Sequence, residues 1–182
     1  MNTASGVLFV VAFLPYIWAI LNGLTEPSPV SWAIWASVDT LAFLAMKKEK
    51  ALNGQITAAV VGAWIVAILA LIFGKPTMGS IEWVSITGAM VGILLWQKTG
   101  NAVLAIICSQ VATFAGAIPT FVGGYTNPAQ ENPFAWSIWL ASCICALFTI
   151  KKWNLANALQ PLTFTAIEAT MVVLVVIRPH LL

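Results

Sequence analysis

PSPVSWAIWAS at residues 27–37 is met again, without a gap, as ENPFAWSIWLA at residues 131–141. The two segments lie at an offset of 104 residues, and the same offset relates Pro15 to Pro119, Lys47 and Lys48 to Lys151 and Lys152, and Asn53 to Asn157. Over residues 29–53 there are eight identities: Pro29, Trp32, Ile34, Trp35, Ala42, Lys47, Lys48 and Asn53. A composition this biased gives roughly two or three by chance. Tryptophan and proline carry the match, so the chain is read as two copies of one unit.

Outward from the repeat, hydropathy decides the solvent. The 182 residues are 60% hydrophobic and 8% charged, too few polar groups to cover a soluble fold. A bilayer core is crossed by roughly 20 apolar residues in a helix. Hydropathy and helix breakers predict seven such helices, at residues 6–24, 30–46, 55–73, 81–97, 102–122, 133–150 and 161–177. Long apolar runs without alternation exclude a barrel, which leaves an all-α integral membrane protein. The first apolar run lacks a basic flank and a cleavage site, so it is read as helix 1 and not as a signal peptide. A net charge of +2 in short clusters excludes a nucleic-acid surface. Cys108, Cys143 and Cys145 form no CxxC pair and read as small buried side chains.

The repeat makes helix 1 correspond to helix 5. Four crossings separate them, so the copies run the same way, and helix 4 is the spacer that allows it. The expected organisation is a three-helix bundle at 1–74, a linker helix at 75–100 and a second bundle at 101–182, a 3+1+3 parallel-repeat arrangement with a solute path between the bundles. One end collects Lys47, Lys48, Lys50, Lys98, Lys151 and Lys152, and the other only Lys75 and Arg178. The positive-inside rule then puts the N-terminus in the cytoplasm and the C-terminus outside. Compactness and short lysine-rich loops suit a bacterial inner membrane.

With its proline in the first helix of each repeat, Pro15 in LPYIW and Pro119 in IPTFV, the chain resembles the SWEET and PQ-loop superfamily over nearly its whole length. Tyr16 and Thr120 follow those prolines where the family has glutamine. The segments SPVSWAIWAS and NPFAWSIWLAS are similar to the family's start of the second helix in each repeat. The doubled WxxW, Trp32 with Trp35 and Trp136 with Trp139, resembles that of the vitamin-precursor carriers of the PnuC type, which share the fold. These resemblances imply a carrier of a small sugar-like or riboside-like solute.

Read from the residues themselves, Pro15 and Pro119 each delete a backbone hydrogen bond in mid-helix and mark a hinge. Asp39 and Glu168 stand in mid-helix with no Lys or Arg beside them, which points to a cavity and not to lipid; the alternative is a neutral acid bridging helices. In the 104-residue alignment Asp39 falls on Cys143 and Glu168 on Trp64. Trp35 and Trp139 read as an aromatic wall for the solute. Trp32 and Trp136, one turn nearer the helix starts, read as an interfacial belt. Tyr16 beside the kink and Gln110 in helix 5 complete the expected substrate-binding set, while Gly62, Gly88, Gly92 and Gly116 read as close helix contacts. One terminal histidine allows neither a metal site nor a catalytic triad, so no enzyme activity, cofactor or metal is expected.

Two classes of function stay open on the sequence. The first is a carrier or facilitator of a small polar, ring-bearing solute, working by alternating access between the repeats. The second is a non-transporting membrane protein: an assembly partner, a pigment or lipid binder, or a sensor. The partners expected are the lipid bilayer and a small solute, with room for a homo-oligomer or a membrane-protein partner.

Overall fold

The computed structural model describes residues 2–75 and 79–181, with residues 2, 81, 82, 84, 85, 88, 89, 92 and 96 by backbone alone. Among them there is no strand, and the chain is all-helical with seven α-helices. They are α1 (Asn2–Leu21), α2 (Pro29–Lys48), α3 (Gly54–Phe73), α4 (Ser80–Thr99), α5 (Ala102–Thr126), α6 (Pro133–Leu147) and α7 (Leu155–Val172). Five segments are long and apolar enough to cross a membrane, those of α1, α2, α3, α5 and α7 with its continuation to His180; α6 is apolar but shorter.

The starts of these helices are written in the sequence. At α2, Ser28 accepts the Ser31 N–H and Pro29 occupies the first turn; at α6, Asn132 accepts the Ala135 N–H and Pro133 does the same. The repeat thus reuses one capping device, a polar cap followed by a proline whose missing N–H costs nothing there. Asn53, Asn101 and Asn154 cap α3, α5 and α7 in the same way. At the end of α1, Gly23 takes φ +70° and the Leu24 N–H reaches back to the Ala19 carbonyl. The end of α2 makes the same closure with Lys50 at φ 54° and the Ala51 N–H on Met46.

Several boundaries differ from the expectation: α1 spans Asn2–Leu21 in place of residues 6–24, and α5 continues to Thr126, four residues beyond the expected end. Helix 6 ends at Leu147, three residues early. Helix 7 begins at Leu155, not at Pro161, because Asn154 supplies the cap; Pro161 sits in the second turn, deleting one internal hydrogen bond without ending the helix.

Packing follows the repeat. Helices α1 and α2 both lie against α3, and α5 and α6 both lie against α7; the two triplets meet where α1 packs on α6 and α2 on α5. The six form a closed ring whose contacts read the same when the repeats are exchanged, and α4 lies outside it against α5 and α2. Residues related by the repeat also touch: the Glu26 N–H donates to the Gln130 carbonyl at 3.1 Å, and the Gln130 amide donates to Glu26 Oε2 at 2.8 Å. This contact joins equivalent positions of the two triplets.

Burial refines the register. In α1 and α5 the buried positions coincide at an offset of 104, as in Ser5 and Ser109, Phe9 and Thr113, and Tyr16 and Thr120. In α3 and α7 they coincide at 105: Gln55 with Gln160, Ala63 with Glu168, Val66 with Met171, Ala70 with Val175. Glu168 is therefore the counterpart of Ala63. The expected counterpart, Trp64, is on the outside, 47% exposed and donating to Thr40. One extra residue between α6 and α7 accounts for the shift.

Candidate functional site

Between the six ring helices lies a cavity of about 40 Å³. It is lined by Phe9 and Phe13 of α1, Trp32, Trp35 and Asp39 of α2, Ala59 and Ala63 of α3, Thr113 of α5, Trp136 and Trp139 of α6, and Phe164, Ile167 and Glu168 of α7. All six ring helices contribute. A space of this size holds about three waters.

Two features of this cavity are chemical. The Asp39 and Glu168 side chains are 4% and 7% exposed, and Asp39 Oδ1 and Glu168 Oε2 have no hydrogen-bond partner among the described residues. Among the described residues, no Lys, Arg or His lines the space. Around the acids the rings pack edge to face, with centroids 5.0 Å apart for Trp32 and Trp35, 5.1 Å for Trp136 and Trp139, and 5.0 Å for Phe13 and Trp139.

The inner indoles are held by matching bonds. Trp35 Nε1 donates to the Thr113 carbonyl at 2.9 Å, and Trp139 Nε1 donates to the Phe9 carbonyl at 3.2 Å. Both donors and both acceptors are repeat counterparts, so each bond is the image of the other. Each also ties one repeat to the other, α2 to α5 and α6 to α1.

Two hydrogen-bonded polar clusters, or plugs, flank the cavity. On the side of the α5–α6 loop, Glu131 Oε2 accepts from Trp136 Nε1 at 2.9 Å and from the Tyr16 hydroxyl at 3.3 Å, beneath the Glu26–Gln130 pair. Lys75 reaches Glu26 at 2.6 Å. Burial pushes the Glu131 carboxyl up to about 7, against the bonds from Trp136 and Tyr16, which lower it. On the opposite side, Asn53 donates to Gln160 at 2.8 Å, Gln160 to Gln55 at 3.1 Å, and Gln55 to Cys143 at 3.0 Å. Ser142 Oγ donates to the Ser5 carbonyl at 2.7 Å in the same layer. Beyond this plug opens a vestibule of about 560 Å³, whose rim carries Lys50, Lys151 and Lys152.

The residues singled out in the sequence divide accordingly. Asp39, Trp35, Trp139 and Glu168 come together at the cavity. Tyr16 is fully buried above it, ring against Trp32 and Trp139, and belongs to the plug. Gln110 lies elsewhere, in a separate apolar recess with Ile107, Val111, Phe114, Leu159 and Thr163. The belt expected at Trp32 and Trp136 is not found: they are 4% and 1% exposed, because α2 and α6 begin against the other repeat's first helix. The outward indoles are Trp18, Trp64, Trp83 and Trp153. Pro15 and Pro119 lie within unbroken helices, and the Pro15 carbonyl accepts from Asn132 Nδ2 at 3.1 Å, coupling that bend to the cap of α6. Gly62 and Gly116 make close contacts, with Phe13 and Ile34; Gly88, Gly92 and Trp96 lie outside the residues whose surroundings are described.

Glu131, Gln55, Gln160 and the phenylalanines were not singled out. Glu131 sits in a polar loop, ENP, that gives no sign of burial, and Phe9, Phe13 and Phe164 are indistinguishable from core residues in an apolar run. Gln55 and Gln160 carried a signal, two long amides at corresponding places near the starts of third helices. Neither a protein-family model nor a curated protein nor a solved structure matches this chain.

Proposed function

We propose that this chain is an integral membrane carrier in which two parallel three-helix repeats, joined by α4, alternately expose a central site to the two sides of a membrane. The observation that carries the reading is the cavity among the six helices, lined by four indoles and by two acids that each leave one oxygen without a partner among the described residues. An ionised acid at bilayer depth costs about 2.5–3.5 kcal/mol on insertion scales. A chain that keeps two of them without a cationic partner has a use for them, since an apolar or amide side chain packs there more cheaply. The membrane setting is supported by the five apolar spans and by outward Leu14, Val61, Leu71, Ile72 and Phe148.

The solute is small and polar, and the indole walls suit one that bears a ring. Its admission requires the ring of helices to part, because ligand sites are usually about 300–1,000 Å³ and this one is far smaller as it stands. Pro15 and Pro119 are the hinges, each weakened by one missing backbone bond. The likeness to SWEET and PQ-loop proteins belongs to the same proposal, as does a cytoplasmic location of the lysine-rimmed vestibule in a bacterial inner membrane.

The test is uptake of a panel of radiolabelled small solutes into proteoliposomes. Asp39→Asn and Glu168→Gln are each expected to lower uptake of the transported solute by at least tenfold. Unchanged uptake in both variants, or no uptake of any solute by a folded protein that binds a stoichiometric partner or pigment, contradicts the carrier reading.

A further inference from the structure

We infer that the central site takes a small organic cation, an ammonium ion carrying methyl or short alkyl groups. The inference rests on the carrier reading for its purpose, and on the cavity alone for its chemistry.

Two independent observations meet there. The first is charge: Asp39 and Glu168 are more than nine-tenths buried, line one space, and each directs an oxygen without a partner among the described residues. Among the described residues, no cationic side chain lines that space to balance them. The second is the wall. Trp32, Trp35, Trp136 and Trp139 surround the acids with faces and edges of indole. Ring faces carry negative potential and attract cations, and a cage of aromatic faces closing on an ammonium group is a recurrent solution for its recognition.

Three of the four indole N–H groups do not compete for this role. Trp35 and Trp139 spend theirs on the Thr113 and Phe9 carbonyls, and Trp136 spends its own on Glu131. Three of the four rings thus have their donors occupied elsewhere, while Trp32 Nε1 is buried without a partner among the described residues, so the cavity offers carboxyl oxygens, π faces and one indole donor. Such a surface disfavours anions and offers few donors to the hydroxyls of a neutral sugar. A bare metal ion would want further oxygen ligands in place of carbon walls, and the described residues hold no group of three or more His, Cys, Asp or Glu that suits one. An alkylammonium ion satisfies both halves, with charge on the acids and methyl groups on the rings.

The test is equilibrium binding to the purified full chain in detergent, by calorimetry, of methylammonium and tetramethylammonium, with uncharged tert-butanol as the size-matched comparator. At least one ammonium ion is expected to bind tenfold or more tightly than tert-butanol. Asp39→Asn and Glu168→Gln should each weaken it fivefold or more, with Asp39→Glu retaining binding as a check that the loss follows charge and not folding. Equal binding of tert-butanol, equal competition by potassium, or no ammonium binding with a proton merely shared between the acids overturns the inference. Proteoliposome uptake separates the two readings: binding without flux removes the carrier and leaves the cation site, whereas flux of a neutral solute without ammonium binding does the reverse.

Discussion

Trp35 and Trp139 show how much one atom can report. Each indole N–H crosses to the other repeat, and a lost neutral hydrogen bond together with the smaller ring of a substitute costs about 1–3 kcal/mol. Because the two bonds are images of one another, Trp35→Phe and Trp139→Phe are expected to lower stability by amounts equal within about 0.5 kcal/mol. Trp18→Phe, at a site 59% exposed, should change it by less than that. Thermal unfolding of the three variants in detergent checks this. Glu131 makes a different kind of prediction. Its carboxyl is raised from 4.5 to about 7, so the folded state holds the proton more tightly than the unfolded one. The stability this contributes is full below pH 4.5 and is lost as pH rises through 7, on the order of 3 kcal/mol at 1.36 kcal/mol per unit. Unfolding midpoints measured from pH 4.5 to 8 should fall in the wild type, and that part of the fall should be absent in Glu131→Gln, whose amide oxygen can still accept from Trp136.

At the scale of elements, α1 and α3 are set by a glycine. A Cβ on Gly62 would overlap the Phe13 ring, which lines the cavity, so the methyl of Gly62→Ala must displace that ring. Overpacking of this kind costs about 1–3 kcal/mol. The variant is expected to lose solute uptake more than fivefold while remaining folded; full uptake would show that Phe13 has room to yield. Most of the helices could be read in the sequence, because Ser28-Pro29 and Asn132-Pro133 are local signals that specify a helix start wherever they stand. The start of α7 was not, because Pro161 is the stronger local breaker, and only the Asn154 cap carries the helix through it. The counterpart of Glu168 was displaced by one: identity of rare residues fixes the register up to Lys152, the Asn53–Asn157 identity pairs a cap with a residue inside α7, and only burial reveals the extra residue between α6 and α7. The site was half legible. An acid in an apolar run is conspicuous from its chemistry, whereas the burial of Glu131 depends on Tyr16 and Trp136, which are distant in sequence or unremarkable beside it.

For the whole molecule, the repeat, the ring order and the cavity between its plugs describe one device. The contacts between triplets, α1 on α6 and α2 on α5, are two seams, and in the proposed carrier one end of those seams opens while the other stays shut. The plugs differ in chemistry: an acid with two aromatic donors and an ion pair at one end, and a chain of amides at the other. The two ends can therefore be biased separately, by pH and charge at the first and by neutral hydrogen bonding at the second. Access to the cavity is read most directly with a single reporter thiol at Thr113, a cavity-lining residue, introduced as Thr113→Cys in a background lacking Cys108, Cys143 and Cys145. Labelling by a membrane-impermeant methanethiosulfonate is then compared in vesicles of opposite orientation, with Lys50→Cys at the vestibule rim as the one-sided control. The thiol at 113 is expected to react from both sides, and the control from one. A thiol at 113 that stays inert from both sides, while the control reacts, would contradict a central site that alternates between the two faces of a membrane.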